Sequence, residues 1–284
     1  MLVREASGGR AEHADVVTCA SEPWRHGEGT AVPEGAMQGR TRREVLVDAL
    51  TEGVHRHRSR ALVVVDVLLS STTLVTAAAQ GRQTLITRSV EEGRRRARGL
   101  SNPLLASEPC PSGTGEFDPR TGPRRLDAVS DPDRPFLLLT PAADVLASTL
   151  GAPAVYLACL RNISATVEAV AEEHEQVAVI AAGHAGQPRS EDQMVAAWIA
   201  GRLVEVGYAP GNLSTAREVE RWAKADLSML ALGRGADQLR RLGRDSEIDF
   251  VLRRVDDLEL TCRYEAGEVS ASWPAPARIA ASAH

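Results

Sequence analysis

From about residue 43 to 265, unbroken apolar runs alternate with stretches in which apolar positions recur every three or four residues. The clearest run is Ala61-Leu-Val-Val-Val-Asp-Val-Leu68, aliphatic throughout except for Asp66. Such a run predicts a strand covered on both faces, as in a parallel sheet. Val45–Leu50, Gln83–Thr87, Phe136–Thr140, Ala154–Ala158 and Gln176–Ala182 predict further strands. Helical spacing follows over 71–80, 89–98, 142–150, 163–173 and 190–206, with two more amphipathic helices over 214–231 and 233–243. Ser89 ahead of Val-Glu-Glu supplies an N-cap with acids in the first turn. Residues 101–135 carry seven prolines and predict a long loop or flap. Phe250–Val255 and Glu259–Tyr264 predict a final strand pair joined by Asp256-Asp257. Strand-helix alternation of this kind is the mark of an α/β layered domain.

The flanks lack periodicity. Residues 1–40, rich in Gly, Ala, Glu and Arg, read as a disordered N-terminal arm, 41–274 as the folded domain, and 275–284 as a flexible tail.

Composition narrows the partners. A net charge of −5 with only 4% aromatic residues argues against nucleic acid. Lys224 is the sole lysine among many arginines, as a GC-rich genome would give. Cys19, Cys110, Cys159 and Cys262 are far apart and form no C-x-x-C pair, which points to a reducing cytoplasm and to neither a disulfide framework nor a zinc site. No apolar run reaches the roughly 18 residues of a membrane span, and the charged N-terminus lacks a secretory core.

Three groups of residues could carry chemistry. The first is Asp66 near a strand end, followed by Ser70, Ser71, Thr72 and Thr73 at a helix start. A buried carboxylate needs a cation or donors beside it, and a helix N-terminus offers N–H groups to an anion. Either Asp66 is a metal ligand or nucleophile beside a phosphate-binding turn, or it pairs with a buried arginine while the hydroxyls cap the helix. No D-x-D-x-[TV] follows the strand, and no G-x-x-x-x-G-K-[ST] loop occurs. The second group is Ala181-Ala-Gly-His-Ala-Gly-Gln-Pro-Arg-Ser-Glu-Asp192. There Ser190 and Glu191 read as helix-start electrostatics, His184 as a loop residue, and Asp192 as an acid at the same carboxyl edge as Asp66. The third is the acid set of the proline-rich segment, Glu108, Glu116 and Asp118; two or three of these converging on Asp66 would make an oxygen-rich Mg²⁺ site. Asn162 lies at the same edge, as a ligand contact or a helix cap. His55 and His57 sit among arginines and read as surface.

Taken in order, these segments resemble the 2-phosphosulfolactate phosphatase (ComB-like) family. A V-V-x-D-V-L-R-A-[ST]-T-T strand and turn is matched by Val63–Thr73, and an S-V-E-E-A helix by Ser89–Glu92. A-G-E-R and F-D-x-G-N-S-P are echoed by Ala106–Glu108 and Glu116–Asp118. S-F-x-N-A-x-A resembles Cys159–Ala165, and C-A-G-x-x-G-x-x-S-x-E-D resembles Ala181–Asp192. A closing L-x-x-x-G and D-[IV]-x-F strand resemble Leu239–Gly243 and Ile248–Phe250.

The resemblance implies a three-layer α/β/α sandwich, a Mg²⁺-dependent phosphatase and a homodimer. Carried onto this sequence, it implies Asp66, Glu108, Asp118 and Asp192 for the metal, with Asp66 and Asp192 catalytic. Ser71, Thr72, Thr73, Asn162, Gly183 and Ser190 would then hold the phosphate ester. Departures are also clear: Leu69 stands in place of an arginine, Thr140-Pro-Ala-Ala-Asp144 in place of T-T-T-N-G-T, and Pro119-Arg-Thr-Gly-Pro123 in place of N-S-P. They point to a different small phosphate ester, a sugar, nucleoside or other secondary-metabolite phosphate. The same losses also fit an inactive ligand-binding or assembly subunit on this scaffold.

Overall fold

The structure, a computed structural model, describes residues 42–49, 51–108 and 114–274. The expected arm, the tail and Cys110 therefore lie outside the described residues. Ten strands form one mixed sheet: β1 (Glu44–Asp48), β2 (Ala61–Val65), β3 (Thr84–Thr87), β4 (Leu104–Ser107), β5 (Phe136–Leu139), β6 (Val155–Ala158), β7 (Gln176–Ala181), β8 (Ala209–Pro210), β9 (Thr261–Glu265) and β10 (Glu268–Ser272), in the order β4-β5-β3-β10-β9-β6-β2-β7-β1-β8. Two parallel blocks, β4-β5-β3 and β6-β2-β7-β1-β8, are joined by the antiparallel pair β9–β10.

The helices are α1 (Ser70–Ala79), α2 (Val90–Ala97), α3 (Pro123–Asp127), α4 (Ala142–Ser148), α5 (Ile163–Glu173), α6 (Ser190–Glu205), α7 (Leu213–Trp222), α8 (Arg234–Arg241) and α9 (Asp245–Leu252), with 3₁₀ turns at Thr51–His57, Leu160–Asn162 and Leu227–Leu232. Every residue of β2 is buried. Ala61, Val63 and Val65 face one core with α5, α6 and α8, while Leu62 and Val64 face another with α1, α3 and α4. The alternation of a strand sends successive side chains to opposite faces, so two cores enclose the sheet and the architecture is an α/β/α sandwich. No helix among the described residues is long and apolar enough to cross a membrane.

Among its described residues, the proline-rich segment holds a strand and a short helix where a loop is expected. Leu104–Ser107 pairs in parallel with β5, and Pro123 begins α3, where a missing N–H is no loss. At the C-terminal end no strand forms over 250–255: residues 250–252 end α9, whose Ile248 and Val251 are buried, and a turn follows. The hairpin lies further on, at Ala266-Gly267, whose φ values of 48° and 86° suit the twist of a two-residue turn. The helix expected over 214–231 stops at Trp222.

One polar cluster under the sandwich is fully matched in charge. Arg161, 3% exposed, forks onto Asp257 (3.0 and 2.9 Å), donates to Thr76 Oγ1 on α1 (2.8 Å) and lies 3.5 Å from Asp127. Arg254 bridges the same two aspartates at 2.9 and 3.0 Å, and both guanidinium groups stack near the Phe250 ring.

Candidate active site

Asp66 is the residue after β2, where the chain leaves the sheet. Its backbone N–H donates to Ser71 Oγ (3.0 Å), and its own Oδ1 accepts from the Ser70 N–H at 3.4 Å. Asp66 therefore faces the N-terminus of α1, where the helix dipole favours an anion. Strands β2 and β7 are neighbours, so Asp66 and the loop after Ala181 leave the sheet side by side. Asp192, in the first turn of α6, ties the two together. Its Oδ1 accepts from the Val67 N–H (2.8 Å) and its Oδ2 from the Gly183 N–H (3.1 Å).

Glu108 arrives from much further away. It follows β4, six places from β2 in the sheet order, yet it accepts hydrogen bonds from Ser70 Oγ and from Thr140 Oγ1 (2.5 Å). Three successive antiparallel pairings, β3–β10, β10–β9 and β9–β6, set the two blocks in opposite directions, and the twist accumulated across the sheet is what can swing the carboxyl ends of β4 and β5 toward that of β2. Asp66, Glu108 and Asp192 then share one small cavity of about 40 Å³, open to solvent, with Leu68, Leu69, His184, Arg189, Glu191 and Gln238 among its walls.

The electrostatics of this cavity are lopsided. Burial first, and the Glu108 carboxylate second, push Asp66 up to about 7. Burial and then Asp66 push Asp192 well above the usual carboxylate range. Burial raises Glu108 too, while the Ser70 and Thr140 hydroxyls and the charges of Arg244 and Arg189 pull it back. His184 Nδ1 stands 3.8 Å from Glu108 Oε2, and burial followed by Arg189 lowers its basicity. Three acids thus crowd together with no salt-bridge arginine touching them among the described residues. Like-charged buried acids of this kind call for a cation or a shared proton.

Other expected residues fall elsewhere. Asp118 does not join the three acids: its carboxylate is taken by Arg120 (3.0 Å) and Arg125 (3.0 Å), and those arginines hold it below the usual carboxylate range. Among the described residues no group of three or more Asp, Glu, His or Cys is arranged to enclose a metal ion, so the four-carboxylate cage is not assembled. The hydroxyls of Thr72 and Thr73 turn back onto the carbonyls of Val67 (2.5 Å) and Leu69 (2.6 Å), and Ser71 Oγ holds the Asp66 N–H, so these side chains build the turn. Asn162, fully buried, accepts from the Cys159 N–H and donates to the Leu157 carbonyl. Gly183 is in the cavity wall with φ +62°, where an added Cβ would meet the Gln187 carbonyl oxygen at 2.4 Å. Ser190 is exposed, its hydroxyl on Glu191. Glu191 is no mere surface cap: it is 3% exposed and accepts from the Gly235 N–H at 2.7 Å.

Arg189 escaped the sequence reading, as did the place of His184 in the cavity wall. Arg189 donates to Gln238 Oε1 (3.0 Å) with one nitrogen of its fork. Counted letter by letter, the serine of the C-A-G-x-x-G-x-x-S-x-E-D pattern falls on Arg189, not Ser190. An arginine is thus missing at 69 and present at 189, on two walls of the same cavity.

Two comparisons with known proteins concern the chain as a whole. The family model described as 2-phosphosulpholactate phosphatase matches residues 48–266. A curated protein of Pseudothermotoga lettingae named "Probable 2-phosphosulfolactate phosphatase" is 28% identical over 191 residues, covering 66% of this chain and 82% of its own length.

Proposed function

Because the chain belongs to the 2-phosphosulpholactate phosphatase family, we propose that the acid-lined cavity is where a small phosphate monoester is hydrolysed with the help of Mg²⁺. The family makes the chain a phosphoric monoester hydrolase. The single observation that carries the site is the meeting of Asp66, Glu108 and Asp192 at the carboxyl end of β2.

The donor set fits the ion in kind. Carboxylate oxygens are the ligands a hard divalent cation takes, and a cation held by Asp66 and Glu108 would offset the burial and the Glu108 charge that raise Asp66. Asp66 and Glu108 would hold it, since both Asp192 oxygens already accept backbone N–H groups. When bound, the ion neutralises charge on the phosphoryl oxygens and polarises water. Asp192 positions: it fixes the β2 turn against the β7 loop, so that both walls of the cavity move as one. Arg189 supplies the permanent positive charge, with fork nitrogens beyond the one on Gln238 to meet phosphate oxygens. Attack of water on phosphorus breaks the bond to the ester oxygen, releasing the alcohol and inorganic phosphate. Loss of arginine at 69 and of the T-T-N-G-T turn supports an ester other than 2-phosphosulfolactate.

Phosphate release from a panel of monoesters, with and without Mg²⁺, tests the reading. Turnover should require the ion, and Asp66→Asn should lower it by about a thousandfold or more, as removal of a group acting on the reacting centre does. Full activity of Asp66→Asn, or turnover in excess chelator, would remove the site from this cavity.

A further inference from the structure

A second, larger hollow of about 300 Å³ adjoins the acid cavity. Gly183 lines both. The far side is tied in as well. Thr140, which donates to Glu108, also accepts the N–H of Ala142 (3.1 Å), and Pro141 and Ala142 form the wall of the second hollow. The hollow therefore begins where the acid cavity ends, with a side-chain-free glycine between them.

Its lining side chains are small, with Pro141, Ala142, Val145, Ala182, Ala185 and the two glycines 183 and 186 among them, and about half of the wall surface is polar. Only Asp144 and Ser148 bring polar side chains, and the Ser148 hydroxyl already donates to the Asp144 carbonyl (2.9 Å). No arginine, lysine or histidine stands among the described residues of this wall, and its single charge is the exposed carboxylate of Asp144. An anionic group placed here would meet a negative charge and no compensating donor side chain except a hydroxyl in use. A neutral polar or cationic group would meet a half-polar wall and one counter-charge.

We propose that this second hollow receives the alcohol part of the ester, and that Asp144 selects substrates whose alcohol is uncharged or positively charged, such as an amino alcohol or a polyol. The proposal rests on the phosphatase reading above, with phosphorus in the acid cavity and the ester oxygen near Gly183. It places the selectivity in Thr140–Asp144, the segment that departs most from the T-T-T-N-G-T pattern.

The experiment compares kcat/KM for phosphate release from four esters in the presence of Mg²⁺: O-phosphoethanolamine (cationic alcohol), glycerol 2-phosphate (neutral), 2-phosphosulfolactate (anionic) and phenyl phosphate as a reference. The cationic or neutral ester should exceed the anionic one by about fivefold, the effect of roughly 1 kcal/mol from one solvent-facing charge. Asp144→Lys should invert the ratio of cationic to anionic ester. An anionic ester that is the best of the four, or a ratio that Asp144→Lys leaves unmoved, overturns the proposal. Turnover of phenyl phosphate without any charge preference overturns this inference alone. Silence on all four esters overturns the phosphatase reading together with it.

Discussion

The two ends of α1 touch two polar clusters of opposite design. At the far end, Thr76 meets Arg161, whose positive charge and that of Arg254 are matched by Asp127 and Asp257 in a closed set of forks and bridges. At the near end, Ser70 meets Asp66 and Glu108, with Asp192 close by, and burial first, then neighbouring acids, pushes Asp66 and Asp192 upward. Both clusters belong to the same sandwich and share one helix, but Asp127, Asp257 and Arg254 reach solvent where Glu108 and Asp192 are buried. The balanced set is complete without a ligand and serves the fold. The unbalanced set stores repulsion that only a bound cation or proton relieves, as a working site does.

Removing one member from each cluster should therefore have opposite effects on stability. The largest is expected at the balanced end. Arg161→Ala strands two partly buried aspartates with Arg254 alone, and should cost about 3–5 kcal/mol, read from urea unfolding. If that loss proves negligible, the far cluster is ornamental and the comparison breaks. At the acid end, Asp66→Asn should raise the melting temperature of metal-free protein by about 5 °C at pH 8. The sign follows from the shift: with Asp66 at about 7 folded and 3.8 unfolded, the folded state holds the proton more tightly. Wild-type stability from this group is thus greatest below pH 3.8, declines between 3.8 and about 7, and stays low above. The Asn variant should lack that decline, and its advantage should vanish near pH 4. The smallest effect belongs to Asp118→Asn, which removes a carboxylate already satisfied by Arg120 and Arg125. Stability should change by about 0.5 kcal/mol and phosphate release by less than about threefold. A large loss of activity there would return Asp118 to the site.

How much of this was legible in the chain differs by element. Strand β2, the turn after it and α1 were plain, because an unbroken apolar run and a Ser-Thr start are local signals. Asp66 and Asp192 could be placed at one edge because β2 and β7 carry similar buried runs. Glu108 is among the acids expected to converge on Asp66, but nothing local in the chain distinguishes it from Asp118, since β4 is hidden among prolines. Asp118 was misplaced for a nearby reason: Arg120 and Arg125, two and seven residues on, claim it before any distant group can. The hydroxyls of Thr72 and Thr73 were read as ligand contacts, but a hydroxyl in the first turn of a helix finds a backbone carbonyl within reach. Arg189 left the one usable clue, an arginine where the pattern has serine.

The hairpin formed by residues 261–272 lies in the interior of the sheet although it comes late in the chain. During synthesis, the β4-β5-β3 block and the β6-β2-β7-β1-β8 block must each wait with an unzipped flank until those last strands leave the ribosome. A chain stopped before residue 261 would lose the seam of the sheet rather than its hem, exposing two flanks ready to pair with other copies. Such a truncation should yield aggregate rather than a smaller folded protein.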